Sequence, residues 1–317
     1  MPLSRRLALA AALLPGLAQA QEYPARAPRL LIGFPPGSAA DVAARLIAPP
    51  LGVALGQNLI IENRPGAGSN IATEQAARAA PDGYTLLLGS VANTINASLQ
   101  RDLPFDFARD LAPVAPFVSI PNLLVVHPSV PATNVAELIA LARAGQLFFA
   151  SSGIGTAPHL SGELFNLMTG TRMTHVPYPG SAQAVTDLLA GRVCVMFSPA
   201  STVLQHVRAG RLRGLASTGA TRTAAAPELP TMIEAGLAGF LSAVWFGLMA
   251  PGATPAPIIT RLAEAVRIAL NTGETRAQLI AQGFDVLDGG PADLARLIAE
   301  ETTKWARVVE ASGARNN

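Results

Sequence analysis

The 317-residue chain sets 23 lysines and arginines against 21 acids, half of it is hydrophobic, and it holds one cysteine, Cys194. With so small a charge excess, three tyrosines and two tryptophans, it lacks the basic stripe and stacking platform that nucleic acid requires. A lone cysteine excludes an intramolecular disulfide and a thiolate metal cluster, and Lys304 as the sole lysine removes a P-loop lysine and argues against Schiff-base chemistry.

The first twenty residues read as a secretory leader. Arg5 and Arg6 make a short basic region, Leu7 to Leu14 an apolar run too short to span a bilayer, and Ala18-Gln19-Ala20 a small-x-small cleavage site. The expected product is periplasmic and begins at Gln21; "SRRLAL" leaves general secretory and twin-arginine export both open. Losing the leader removes two arginines and no acids, so 23 − 2 = 21 basic groups meet 21 acids. No later run reaches the ~18 apolar residues of a membrane span. The 317 − 20 = 297 remaining residues exceed the usual single core, which predicts two domains.

"RLLIG" (29 to 33), "NLIIEN" (58 to 63) and "YTLLLGS" (84 to 90) read as strands separated by the alanine-rich helical patterns "AADVAARLIA" and "NIATEQAARAA". "NLLVVHPS", "QLFFASS", "VCVMFSP" and "LRGLAST" continue as strands, with "VAELIALARA", "HLSGELFNLMTG" and "AQAVTDLLAG" as intervening helices. This alternation predicts an α/β fold with a mostly parallel sheet and helices on both faces. The C-terminal third is helical. Two extended, proline-punctuated segments, 112 to 126 and 242 to 255, bracket an α/β block and predict a chain that crosses into a second domain and returns. The expected division is 21–118 with 245–317 as domain 1 and 119–244 as domain 2, joined by a two-segment hinge.

Four strand-to-helix turns carry small polar residues. In "FPPGSAAD", Pro35 and Pro36 stiffen the approach after Phe34, Gly37 permits a conformation closed to side chains, and Ser38 with Asp41 forms a capping-box variant. Such a helix start is either a capped turn and nothing more, or an anion site whose free N–H groups and dipole favour negative charge. "FFASSGIGTAPHLSGELF" repeats the design with Ser151, Ser152, Gly153, Gly155 and Thr156, the last as N-cap, and with His159 in the first turn, either packed or touching ligand. "HVPYPGSAQ" adds Tyr178, whose phenol can reach a cleft, Gly180, and Ser181 as a cap. "GSVANT" adds Ser90 and Asn93. Turns at the carboxyl ends of strands line the ligand crevice of open α/β sheets. Asp41 either caps the backbone or faces the cleft, where it would welcome an ammonium group. No G-x-S-x-G elbow or H-E-x-x-H occurs, the four histidines lack ligand spacing, and Cys194 in an apolar strand is a poor nucleophile. No catalytic residue, metal or cofactor is expected.

The segments "FPPGSAAD", "IIENRPGAGSNIATEQAARAAPDGYTLLLGS", "LPFDFARDLAPVAPF", "HVPYPGSAQAVTDLLAGRV", "AGRLRGLASTGATR", "LPTMIEAGLAGF" and "GLMAPGATP" occur in that order. Together they resemble the extracytoplasmic solute-binding receptors of tripartite tricarboxylate transporters, the Bug (Bordetella uptake gene) family. The resemblance implies a type II periplasmic-binding fold closing like a flytrap on a di- or tricarboxylate, acidic amino acid or aromatic acid. It carries ligand contact onto Phe34 through Gly37, Ser151 through Thr156 with His159, and Val176, Pro177, Tyr178 and Gly180. Ser38 stands where the family usually has a second glycine, the connection before "FF" is short, and Pro49-Pro50 predicts a helix break near Ala48. The implied protein is a monomeric receptor that delivers a small carboxylate to membrane permease subunits. The alternatives are a receptor presenting ligand to a sensor ectodomain, and an enzyme on the same architecture.

Overall fold

The computed structural model describes residues 23–100, 102–223 and 225–312. The leader and cleavage site expected from the sequence lie outside them. β1 (Arg29–Ile32), α1 (Ala39–Leu55), β2 (Ile60–Asn63), α2 (Asn70–Ala77) and β3 (Thr85–Ser90) follow in βαβ order. Next come α3 (Val91–Leu99), a single-turn α4 (Phe107–Asp110) and the 16-residue strand β4 (Leu111–Val126). The second half runs α5 (Val135–Ala144), β5 (Phe148–Ser151), α6 (Ala157–Thr169), β6 (Thr174–Pro177), α7 (Ser181–Leu189), β7 (Val195–Pro199), α8 (Ala200–Arg208) and β8 (Arg213–Ser217). β9 (Ala243–Pro251) then returns, followed by α9 (Ala256–Leu270), α10 (Gly273–Ala281), β10 (Asp285–Val286) and α11 (Pro291–Ser312).

The strands form one sheet in the order β2-β1-β3-β9-β4-β7-β5-β6, with β8 and β10 also on β4. The expected mostly parallel sheet is corrected to a mixed one. Pairing is parallel within β2-β1-β3 and β7-β5-β6, where helices make the crossovers. It is antiparallel across the centre, because the two extended segments run against each other as β4 and β9 with no crossover helix between them in the sheet. β4 pairs β9 from Leu111 to Pro121, then switches to β7 and β8 from Asn122 and Leu123 onward. A larger apolar core packs around β1, β3, α1, β4 and β9, and a smaller one under β5 to β8 is built on Phe149, Phe165, Phe197 and Phe240.

A buried polar node marks the point where β4 changes partners. Thr218 Oγ1 accepts from Asn122 N at 2.9 Å, Thr218 N donates to Asn122 O, and Ser242 N donates to Thr218 O. Asn122 Nδ2 reaches Ser161 Oγ on α6 at 3.2 Å, and Ser161 Oγ meets Ser242 Oγ at 2.7 Å. The chain's outward and return crossings and α6 are therefore tied at one place.

The expected break at Ala48 does not occur; α1 runs through Pro49 and Pro50 to a left-handed Gly56 cap. Their rings remove the donors that would meet the Arg45 and Leu46 carbonyls, on a side of the helix that is partly open to water. On the opposite side Ala43, Ala44, Ile47, Leu51 and Leu55 are buried, and their packing outweighs the two lost bonds. Replacing both prolines by alanine should restore the donors and stabilise the protein by about 1–3 kcal/mol. Thermal unfolding checks this, and an unchanged or lowered midpoint would show that the ring contacts stabilise the native helix.

Candidate functional site

The carboxyl ends of the strands bring five helix N-termini to one cavity. Its lining takes Ser38, Ala39 and Ala40 from the start of α1, Ser90, Val91 and Ala92 from α3, and Thr156, Ala157 and Pro158 from α6. Ser181 opens α7 and Pro199 precedes α8. The opening N–H groups of a helix have no intrahelical partner, and each N-terminus carries roughly half a positive charge. Among the described residues, no side chain caps α6, α7 or α8. Phe34, Val244 and Phe246 add apolar walls, Ser152 adds a hydroxyl, and among the described residues no charged side chain lines the space. Phe34 and Ser152 also border a wider outer compartment of about 1020 Å³, rimmed by Pro65–Gly68, Gln100, Gly153, Ile154 and Pro177–Pro179. The arrangement suits an anionic group held by backbone donors beside an apolar body.

The residues singled out in the sequence divide between the lining and its support. Phe34, Ser38, Ser90, Ser152 and Thr156 line the inner cavity, and Gly153 and Tyr178 the outer one. Pro36 and Gly37 are exposed outside the lining; Gly37 adopts φ 78° and donates its N–H to Asp41 Oδ2 at 2.9 Å. Asp41 does not face the cleft. Its carboxylate accepts from Gly37 N, Arg45 Nε and Asn63 Nδ2, all within 3.0 Å. Burial works against its charge, but the Arg45, Gly37 and Asn63 hydrogen bonds outweigh that and hold the carboxyl below its usual range. Ser38 caps α1 through Asp41 N, as expected.

Other roles differ from those read in the sequence. Thr156 occupies the cap position of α6, but its hydroxyl donates to Gly153 O at 2.7 Å and so braces the loop. Ser181 is the first helical residue of α7, with extended Gly180 at the cap position. The Tyr178 phenol donates to Asp187 at 2.9 Å. Asn93 is structural, accepting from Ser90 N and donating to Thr73 Oγ1 on α2. Ser151, Gly155 and His159 sit behind the lining, and Pro35 and Gly180 meet at its edge. Pro199, Val244 and Phe246 were missed. The α8 segment "ASTVLQHVR" lacks a capping residue at its start, and "AVWFG" reads as a crossing strand rather than a wall. The strand-end rule applied to "VCVMFSP" would have found Pro199.

Behind the Ser151–Thr156 loop lie two stacked imidazoles. The His159 and His175 ring centroids are 4.1 Å apart, and His175 also stacks on Phe149 at 5.0 Å. Gly155 N donates to His159 Nδ1 at 3.3 Å, and Ser151 Oγ lies 2.6 Å from His175 Nε2. Burial, with the neighbouring His175, pushes His159 down to about 3; burial alone pushes His175 down to about 4. Both rings are neutral at pH 7. Glu163, 3.8 Å from His159 Nε2, is held above its usual range by burial.

Because the folded-state values are depressed, the unfolded chain takes up protons first. Stability from these rings is complete above about pH 6.5 and is lost as pH falls toward the folded values, by about 1.4 kcal/mol per pH unit per ring. Unfolding free energies for wild type and His159→Leu between pH 7 and 4 should show a shallower decline in the variant by about one ring's share. Parallel curves would mean that His159 titrates normally.

The model of the family described as "Tripartite tricarboxylate transporter family receptor" matches residues 43–314. The protein BugT of Bordetella pertussis is 38% identical over 300 residues, covering 93% of this chain and 92% of its own length. An R. palustris protein solved with adipate is 37% identical at a TM-score of 0.88, covering 92% of this chain and 98% of that one. MatC from Rhodopseudomonas palustris, solved with bound malate, is 32% identical at a TM-score of 0.85, covering 90% and 100%. With its alternating fold, its cavity at the strand ends and this match over nearly its whole length, the chain belongs to the tripartite tricarboxylate transporter receptor family.

Proposed function

We propose that the protein captures a small carboxylate in the periplasm and delivers it to the membrane subunits of a tripartite tricarboxylate-type transporter. The observation that carries this reading is the convergence of five helix N-termini on an apolar-walled cavity with no charged side chain among the described residues of its lining. The similar proteins solved with adipate and malate support the ligand class. Calorimetric titration with adipate, malate and an acidic amino acid tests it. Saturable binding of at least one is expected, and silence towards all, together with no acid co-purifying from cells, would overturn it.

Closure is part of the same reading. We take residues 23–118 with 245–312 as one lobe and 119–244 as the other, hinged where β4 and β9 cross. Four glycines lie where the lobes touch, Gly283 against Ala200 and three beside the cleft. A Cβ on Gly180 would stand 2.8 Å from Pro35 Cγ, one on Gly155 2.2 Å from Asn96 Oδ1, and one on Gly68 3.0 Å from Ile154 O. Gly180 has extended backbone that any residue adopts, so its side-chain restriction is purely steric. Gly180→Ala should therefore hold the lobes apart and weaken ligand binding about tenfold with little change in melting temperature. Adding Pro35→Ala should recover part of that loss, and equal affinities for wild type and Gly180→Ala would remove the seam from the mechanism.

A further inference from the structure

We infer that His159 and His175 are positioning residues that hold the Ser151–Thr156 loop in its binding conformation from behind, without touching the ligand. This rests on the carboxylate-receptor reading for what the loop binds, though not for how the loop is held.

The loop needs external support. It contains two glycines in the left-handed region, Gly153 at φ 121° and Gly155 at φ 78°, and glycine there gains no rigidity of its own. Yet it supplies Ser152 and Thr156 to the inner cavity and Gly153 and Ile154 to the outer rim. Its internal bonds, Ser151 Oγ with Gly153 and Thr156 Oγ1 to Gly153 O, fix the first half of the turn. Thr156 N donates to Gly153 O and Tyr178 N to Ser151 O, which ties the start of the loop to the turn after β6, and the imidazoles add the anchors at Ser151 Oγ and at the Gly155 amide. His175 takes hold of Ser151 at the end of β5, and His159 takes hold of the Gly155 amide just before α6 begins.

Direct ligand contact by His159 is excluded by its surroundings. The ring is 6% exposed, its Nδ1 is occupied by Gly155, its Nε2 side faces Glu163, and His175 covers a face. Accepting from an amide fixes the chemistry. Nδ1 must carry no proton, so His159 is the neutral Nε2–H tautomer. The stack on His175 and Phe149 then fixes where that acceptor stands. A side chain that merely fills this volume cannot do the same, whereas one that places an oxygen at the Nδ1 position can.

The test compares His159→Leu with His159→Asn, whose Oδ1 occupies the Nδ1 position, and His175→Leu with His175→Gln, whose amide reaches the Nε2 position. Titration with adipate and malate gives affinity, and NMR of the unliganded protein gives the His159 15N pattern and Gly155 amide exchange. Each leucine variant should bind about tenfold more weakly, the share of one lost hydrogen bond. The asparagine and glutamine variants should lie within about threefold of wild type. In the free wild-type protein His159 Nδ1 should appear unprotonated, and the Gly155 amide should exchange faster in His159→Leu than in His159→Asn. Wild-type affinity in the leucine variants, or equal losses in leucine and amide variants, would overturn the proposal. Wild type that binds neither acid would count against the receptor reading only, and the exchange rates would then decide the role of His159, equal Gly155 exchange in His159→Leu and His159→Asn overturning it. Should His159→Leu fail to fold, the His175 pair carries the same comparison.

Discussion

The structure depends on one electrostatic constraint: a cavity ringed by helix N-termini, with no charged side chain among the described residues that line it. Its field comes from helix N-termini, which are fixed by the fold and carry no proton to lose. A cationic side chain would bring its own hydration, flexible stem and counter-ion. Backbone amides at helix starts bring none of these, and they are already oriented when the helices pack. Each helix must then begin within reach of one small volume, and a sheet that ends every βα unit on the same side meets that demand.

The same demand explains how Asp41 is handled. An acid in the first turn of α1 would oppose an anion above it, and here the carboxylate is turned away and satisfied by Gly37, Arg45 and Asn63. Its charge stabilises the helix start from the outer side, and the cavity is spared a competing negative charge.

Much of this was legible in the sequence, and the reasons are local. The βα alternation, the leading polar turns and the bounds of α6 follow from hydrophobic period and cap residues, which act over a few positions. What the sequence could not disclose depends on tertiary packing. α1 survives two prolines because its buried face, and not its propensity, holds it together. β4 and β9 pair antiparallel because the chain returns, a long-range fact absent from either segment. The roles of Thr156, Tyr178 and Asn93 turned on which acceptor each side chain met. His175 drew no attention because a histidine in a strand shows no spacing signal, and its importance arises from the ring stacked on it.

The polar node at Asn122 bears on how the molecule moves. Its hydrogen bonds lie in the dry interior, where breaking one without water to replace it costs far more than bending it. All four of its residues lie between 119 and 244, so the node locks the ends of β4 and β9 to that half, and in the closure proposed above any twist would fall along these strands on the other side of it. Ser161 ties α6 to that axis, so the helix bearing the cavity loop turns as the strands twist. If the lobes close as proposed, the angle between the halves, visible from outside the molecule, would become a gauge of what the loop is holding.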